Sequence, residues 1–432
     1  MEKLWQTGGG SLHPDIEAYT VGNDPQFDTQ LLPFDIRASK AHAMGLQRIS
    51  LLSAAECDAI LKELEQMDGE CKSGNLVVTQ HDEDCHTLIE KRLTQQLGDT
   101  GKKIHTGRSR NDQVLVAVRL YMKDALLKIR RAGTDFAETL LSAAETYKAV
   151  PLPGYSHTQQ AMLSSVGHYY AAILESMIDD MEFAAATLKH IDANPLGSAA
   201  GFGVSFPLDR KFTGEALGFQ RTQMNSLYCQ NSRGKFESAF MEACAQIMMT
   251  LAKFAQDALV FTSQEFSFFE VDQSLTTGSS IMPQKKNLDG LEILRGNAAV
   301  VTANHSMIHT LAKGTMSGYN RDFQLMKKPL MESAAIVEKS IGIARLYVLG
   351  MRPREDRIRL AITPDIFRAD VANALVAKEG KPFRDAYAIA KEGSAPEAVD
   401  LQKSIDAKIS PGGPGNLQLE LSRCRLEQLR QA

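Results

Sequence analysis

From residue 112 onward the chain alternates long apolar-rich runs with short polar segments that contain glycine. Between residues 112 and 150, Leu115, Val118, Met122, Leu126, Ile129, Phe136 and Leu140 recur at spacings of three, four or seven. That rhythm places them on one face of a helix, and Asn111 and Asp112 are positioned to cap its start. Comparable Ala- and Met-rich runs cover residues 159–191, 236–263, 291–312 and 330–349. Proline, which breaks helix interiors, is missing between Pro33 and Pro151, Pro153 and Pro195, Pro207 and Pro283, and Pro283 and Pro329. Five long helices with almost no β-branched alternation between them predict an all-α fold built on a helical bundle. Helices well beyond about 20 residues exceed what a small domain requires. Packing between subunits explains such length; a monomeric bundle of kinked helices is the alternative.

The two ends differ from the middle. Residues 1–110 predict short amphipathic helices among Gly- and Asp-rich turns. After Met351, Arg352-Pro353-Arg354 and Thr363-Pro364 interrupt the pattern, and short helices surround a Gly/Pro loop at residues 411–415. The expected organisation is a mostly helical N-terminal domain over 1–110, a central long-helix bundle over 111–350 and a small helical C-terminal domain over 351–432. A length of 432 residues agrees with about three domains.

Composition narrows the function. Hydrophobic residues at 44% and charged residues at 23% are those of an ordinary globular chain. A formal charge of −4 leaves no basic footprint for nucleic acid, so anionic ligands must be held by a few placed cations. The six cysteines are scattered without a CxxC, which argues for free thiols in a reducing compartment. The opening Met1-Glu2-Lys3-Leu4-Trp5-Gln6 lacks a signal-peptide pattern, and no apolar run reaches membrane-spanning length. The expectation is a cytoplasmic protein without a membrane partner. His305 and His309 stand four apart but lack a third metal ligand, and read as packing or surface histidines. Gly8-Gly9-Gly10 has no lysine or preceding strand to make a phosphate loop.

Three polar segments between the helices carry reactive groups. Thr106-Gly107-Arg108-Ser109-Arg110-Asn111-Asp112-Gln113 puts two arginines at a helix N-terminus, where a carboxylate is welcome; a solvated capping loop would use the same residues. Pro153-Gly154-Tyr155-Ser156-His157-Thr158-Gln159 sets a histidine beside a hydroxyl, suited to acid–base work or to a structural hydrogen bond. Gly278-Ser279-Ser280-Ile281-Met282-Pro283-Gln284-Lys285-Lys286-Asn287 is too polar for a core, and Ile281-Met282 is too apolar for an ordinary solvated loop. Its cations can stabilise a developing negative charge.

The third segment resembles the G-S-S-x-M-P-x-K-x-N signature of the fumarase/aspartase superfamily at every fixed position. Its Q-K-K-N ending and the T-G-R-S-R-N-D-Q run at 106–113 resemble the argininosuccinate lyase branch. Further matches are the stretch from Phe34 to Ala43, Asn194-Pro195-Leu196-Gly197 and Tyr319-Asn320-Arg321-Asp322. Departures accompany them. G-Y-T-H-L-Q reads Gly154-Tyr155-Ser156-His157-Thr158-Gln159, and Leu288 replaces a usual proline. The usual N-S-L-D-A-V-S-D-R-D keeps only Arg233 of its charged trio, and F-N-A-S-I-S-F-D is replaced by residues 19–28.

The resemblance implies a cofactor-independent β-elimination that splits argininosuccinate into arginine and fumarate. It implies Ser279 as the base, with Lys285 and Asn287 on the substrate carboxylate. His157 would be the acid, directly or through water, oriented by Glu292. Arg110, Asn111, Ser156 and Arg233 would hold the fumarate half, His86 would line the pocket, and Tyr319, Gln324 and Lys327 would bind the arginine half. No metal or nucleotide is implied. Each site would collect segments from three subunits of a homotetramer. The rivals are another lyase of the superfamily (aspartase, fumarase or adenylosuccinate lyase) and a catalytically silent crystallin-like homologue.

Overall fold

All five long helices form, as Arg110–Thr146, Val166–Ile191, Lys235–Phe261, Asp289–Ala312 and Lys327–Gly350. The computed structural model describes residues 13–394 and 399–431, so the N-terminal hexapeptide and the triple glycine lie outside the described residues. The described chain is helical apart from three two-stranded ribbons. Among the described residues no helix is long and apolar enough to cross a membrane, and all six cysteines are free.

One predicted helix begins late. Residues 159–165 form a strand, β2 (Gln159–Ser165), antiparallel to β1 (Pro151–Ser156), with Ser156 opposite Gln159. The turn is therefore only His157-Thr158, both in the left-handed region at φ 50° and 62°. This is the sense of a type I′ turn, which suits the twist of a hairpin but favours Asn-Gly; His-Thr gives no such signal. Leu163 of β2 is buried against Ile366, Phe367 and Ile405, which anchors the hairpin and leaves its tip exposed.

The N-terminal helices are longer than expected. Asp24–Arg48 runs through Pro33, and Ala54–Lys72 follows with a Ser53/Glu56 capping box. Pro33 costs the helix one backbone bond, but Leu31, Leu32 and Ile36 around it are almost completely buried. Packing of this face outweighs the local defect. At the start of Arg110–Thr146 the cap is Ser109, not Asn111 or Asp112: its hydroxyl accepts from the Asn111 N–H at 3.2 Å. Asp112, fully buried, reaches back to the Ser109 N–H and accepts from the Gly197 and Ala199 N–H groups, each at 2.9 Å. One carboxylate thus helps cap the helix and pins its start to the 195–199 loop.

The chain divides into two compact units. One comprises Met1–Lys128, Ala186–Cys244 and Val301–Ala335; the other comprises Ile129–Ala185, Ala245–Val300 and Ile336–Ala432. Within the first, Ala38 and Ala41 pack on Val116, Leu120, Leu196, Leu217 and Phe219. This core fixes the Asp24–Arg48 helix against the start of Arg110–Thr146.

Candidate active site

Arg110 leaves the first turn of its helix and forms an ion pair with Asp84, the N-cap of the Cys85–Leu97 helix. Its sequence neighbour Arg108 turns inward, is buried and donates to Ser39 Oγ at 3.0 Å. The motif's two arginines therefore divide into one that lines the cleft and one that is buried in the fold. Arg110 and Asn111 line a cleft in the first unit together with His86, Arg233, Tyr319, Gln324 and Lys327. Seven of the thirteen candidate site residues thus meet in one place. The cleft has a volume of about 190 Å³ and opens to solvent.

Most of these side chains are held. Arg233 is buried, donates to the Asn111 carbonyl and to Gln230 Oε1, and lies with Cζ 5.0 Å from the Tyr319 ring centroid. It occupies the cleft although its flanking motif has diverged. Gly234, next in the chain, is obligatory at φ 78°, where a Cβ would stand 2.4 Å from Ala312 Cβ. Gln324 donates to the Thr20 carbonyl at 2.9 Å, and Lys327 Nζ donates to Asp24 at 2.7 Å and Asp28 at 2.9 Å.

His86 is buried, and its Nδ1 lies 2.6 Å from Asp35 Oδ2, while Nε2 has no partner. Burial would lower its pKa; Asp35, Asp84 and Asp28 outweigh that and raise it. Burial likewise pushes Asp84 up, but His86 and Arg110 hold its carboxyl down at about 2. Asp24 is different: burial prevails over Lys327, and its carboxyl is pushed up to about 6. Asp35, Cys85 and His86 bring an oxygen, a sulfur and a nitrogen within 4.8 Å of one another. The short Asp35–His86 hydrogen bond already satisfies two of them, and burial with three nearby carboxylates raises the Cys85 thiol well above its usual pKa. This is a bonded relay rather than a cation cage. His305 meets His309 edge to face and lies 3.5 Å from Glu242.

Asp24, Glu83, Asp84 and Arg321 also line the cleft and were not singled out from sequence. Glu83 and Asp84 stand three and two residues before His86, and Arg321 lies inside the quoted Tyr319–Asp322 match, so the signal was close by. Asp24 falls in the divergent 19–28 segment and had none.

The other six candidates belong to the second unit. Thr277 and Asn287 exchange backbone hydrogen bonds at 3.0 and 2.9 Å, closing the signature loop at its neck. Inside it, Ser279 Oγ accepts the Ile281 and Met282 N–H groups at 3.3 and 3.1 Å. Two donors aimed at one hydroxyl oxygen favour its ionised form. Ser279 and Asn287 are half-buried and Lys285 is exposed. Glu292, in the first turn of Asp289–Ala312, is exposed, as are Ser156 and His157 at the hairpin tip. Among the described residues no hydrogen bond joins His157 to Glu292. Holding His157 and the β-branched Thr158 at positive φ stores strain, and it projects the imidazole beyond the hairpin.

Comparison with known proteins decides the family. A lyase family model matches residues 20–303. The argininosuccinate lyase of Xanthomonas campestris pv. campestris (strain B100) is 42% identical over 430 residues, 99% of each chain. That of Stenotrophomonas maltophilia (strain K279a) is 42% identical over 429 residues with the same coverage. This chain belongs to the argininosuccinate lyase family. An EDDS lyase crystallised with formate shares the fold of this family member, with a TM-score of 0.81 at 22% identity over 98% of this chain and 92% of that one. The helical bundle expected from the apolar pattern is the architecture of the family.

Proposed function

We propose that the protein is a carbon–nitrogen lyase that cleaves argininosuccinate to L-arginine and fumarate, without a cofactor, in arginine biosynthesis. The observation that carries this reading is Ser279 Oγ, which accepts two backbone N–H groups in a loop closed at its neck. A serine hydroxyl is too weak an acid to serve as a base unless its anion is stabilised. Those two donors, with Lys285 six residues on, provide the stabilisation. Ser279 then takes the proton from the carbon beside the succinate carboxylate. The electron pair passes into that carboxylate, where Lys285 and Asn287 offset the growing charge. It returns to form the carbon–carbon double bond as the carbon–nitrogen bond breaks. His157 delivers a proton to the departing guanidino nitrogen, directly or through water, and Glu292 orients it. Arg110, Asn111, Ser156 and Arg233 hold the fumarate half, His86 bounds it, and Tyr319, Gln324 and Lys327 hold the arginine half.

The catalytic groups are exposed or only half-buried in the isolated chain, whereas this chemistry requires a dry site. Apolar side chains on the second unit's helices are exposed too: Ile293 and Val300 seven apart, and Ile343, Leu346 and Leu349 at spacings of three. Both features support a homotetramer whose subunits bring the cleft, the hairpin tip and the signature loop together. A cytoplasmic location suits the free cysteines.

The test is fumarate release, followed by ultraviolet absorbance, from argininosuccinate, aspartate, malate and adenylosuccinate in parallel. Release from argininosuccinate alone is expected. Turnover of another of the four instead would assign a different lyase of the superfamily, and no release from any would make the protein a silent homologue.

A further inference from the structure

The corner of the cleft around Lys327 has more negative charge than it needs. Lys327 Nζ donates to Asp24 Oδ2 and Asp28 Oδ1, so one cation faces two carboxylates. All three side chains are nearly removed from solvent, at 8%, 9% and 0% exposed for Lys327, Asp24 and Asp28. Asp28 Oδ2 is buried without a partner. The other lining carboxylates are differently engaged: Glu83 and Asp84 face Arg321 and Arg110, and Glu237 accepts from the Gly234 N–H. Asp24 is the lining carboxylate whose bonded cation is a lysine.

An ammonium has three donors, and Lys327 uses two. Its third is available to an incoming carboxylate, while the surplus negative charge beside it awaits a cation. A carboxylate and an ammonium carried on one carbon, an α-amino acid in its zwitterionic form, present those two charges side by side. The two pairs then align head to tail, and the buried setting strengthens both contacts. Neither a guanidinium nor a carboxylate alone would satisfy both members of the corner.

We propose that Asp24, paired with Lys327, is a specificity-determining residue that reads the α-ammonium group of the arginine half. The inference rests on the lyase reading for which end of the substrate lies here, but its test does not. Asp24 opens the Asp24–Arg48 helix and Lys327 opens Lys327–Gly350, so both groups stand on regular structure rather than on a loop. Asp24 lies in the segment where this chain departs from the family pattern.

The probes are L-arginine and argininic acid, which carries a hydroxyl in place of the α-ammonium, each titrated by calorimetry into the full-length protein. Wild type should bind arginine the more tightly, on the order of tenfold to a hundredfold for one charge-assisted contact. Asp24→Asn and Asp24→Ser should bring the ratio close to one while leaving fumarate affinity in place. Fumarate binding also reports that the variants are folded. Equal binding of the two probes by wild type overturns the proposal, as does an unchanged ratio in a folded variant. If wild type releases fumarate from argininosuccinate but the ratio does not depend on Asp24, this inference fails and the lyase reading stands. If wild type is no lyase yet the ratio depends on Asp24, the lyase reading fails and Asp24 remains a reader of an α-ammonium group in another ligand.

Discussion

At the scale of single residues, two carboxylates of one cleft are set apart by their neighbours. Asp84, between His86 and Arg110, is held at about 2, below its ordinary 3.8. A depressed carboxylate stabilises the fold above its unfolded pKa and loses that contribution as the pH falls toward its folded one. Asp84→Asn keeps the helix cap but removes the charge. It should cost about 2 kcal/mol at neutral pH, and the difference from wild type should shrink as the pH falls from about 4 toward 2. Urea unfolding at several pH values measures it; a gap independent of pH would mean that the ion pair contributes nothing. Ser279→Ala should lower turnover by on the order of several powers of ten with little change in substrate affinity, because the lost group acts mainly in the transition state. Single-turnover kinetics with a separate binding measurement distinguish the two, and near wild-type turnover would remove Ser279 from the role of base.

At the scale of elements, the long helices were legible because apolar periodicity and proline spacing both speak to them. The 110–146 helix was placed within a few residues of its observed bounds. The hairpin at 151–165 was not legible, since its turn residues lack the glycine or asparagine that would announce a left-handed turn. The cap at Ser109 was missed because Asn111 and Asp112, equally good cap formers by type, stand just inside it. Asp112 instead spends its carboxylate on a distant loop, a tertiary contact that no local pattern encodes. The hairpin supports a direct prediction. Thr158→Gly relieves a left-handed β-branched residue and should stabilise the protein by about 1 kcal/mol, read as a raised melting temperature. If Thr158→Gly destabilises it instead, the turn is not strained. Glu292→Gln and His157→Asn should each slow turnover, and together cost far less than the product of the two losses. Multiplying losses would leave Glu292 as a helix-start carboxylate favoured by the macrodipole.

At the scale of the whole molecule, the candidate residues divide along the chain's two units. Seven line a cleft in the first, and six stand on the hairpin tip, the signature loop and the following helix of the second. Recognition of the motifs made most of these residues legible, while their distribution between units required the fold. Asp24 was beyond reach, because its role depends on a lysine some 300 positions away. The account therefore stands or falls on whether sites are completed by assembly. His157→Ala and Ser279→Ala proteins, each inactive, are mixed under mild denaturant and returned to buffer, and fumarate release from argininosuccinate is measured alongside mass. The account predicts a particle near four times 47.4 kDa that regains part of the wild-type activity, because some sites receive an intact hairpin from one variant and an intact loop from the other. Mixed tetramers that stay inactive, or a wild-type monomer that releases fumarate unaided, would contradict it.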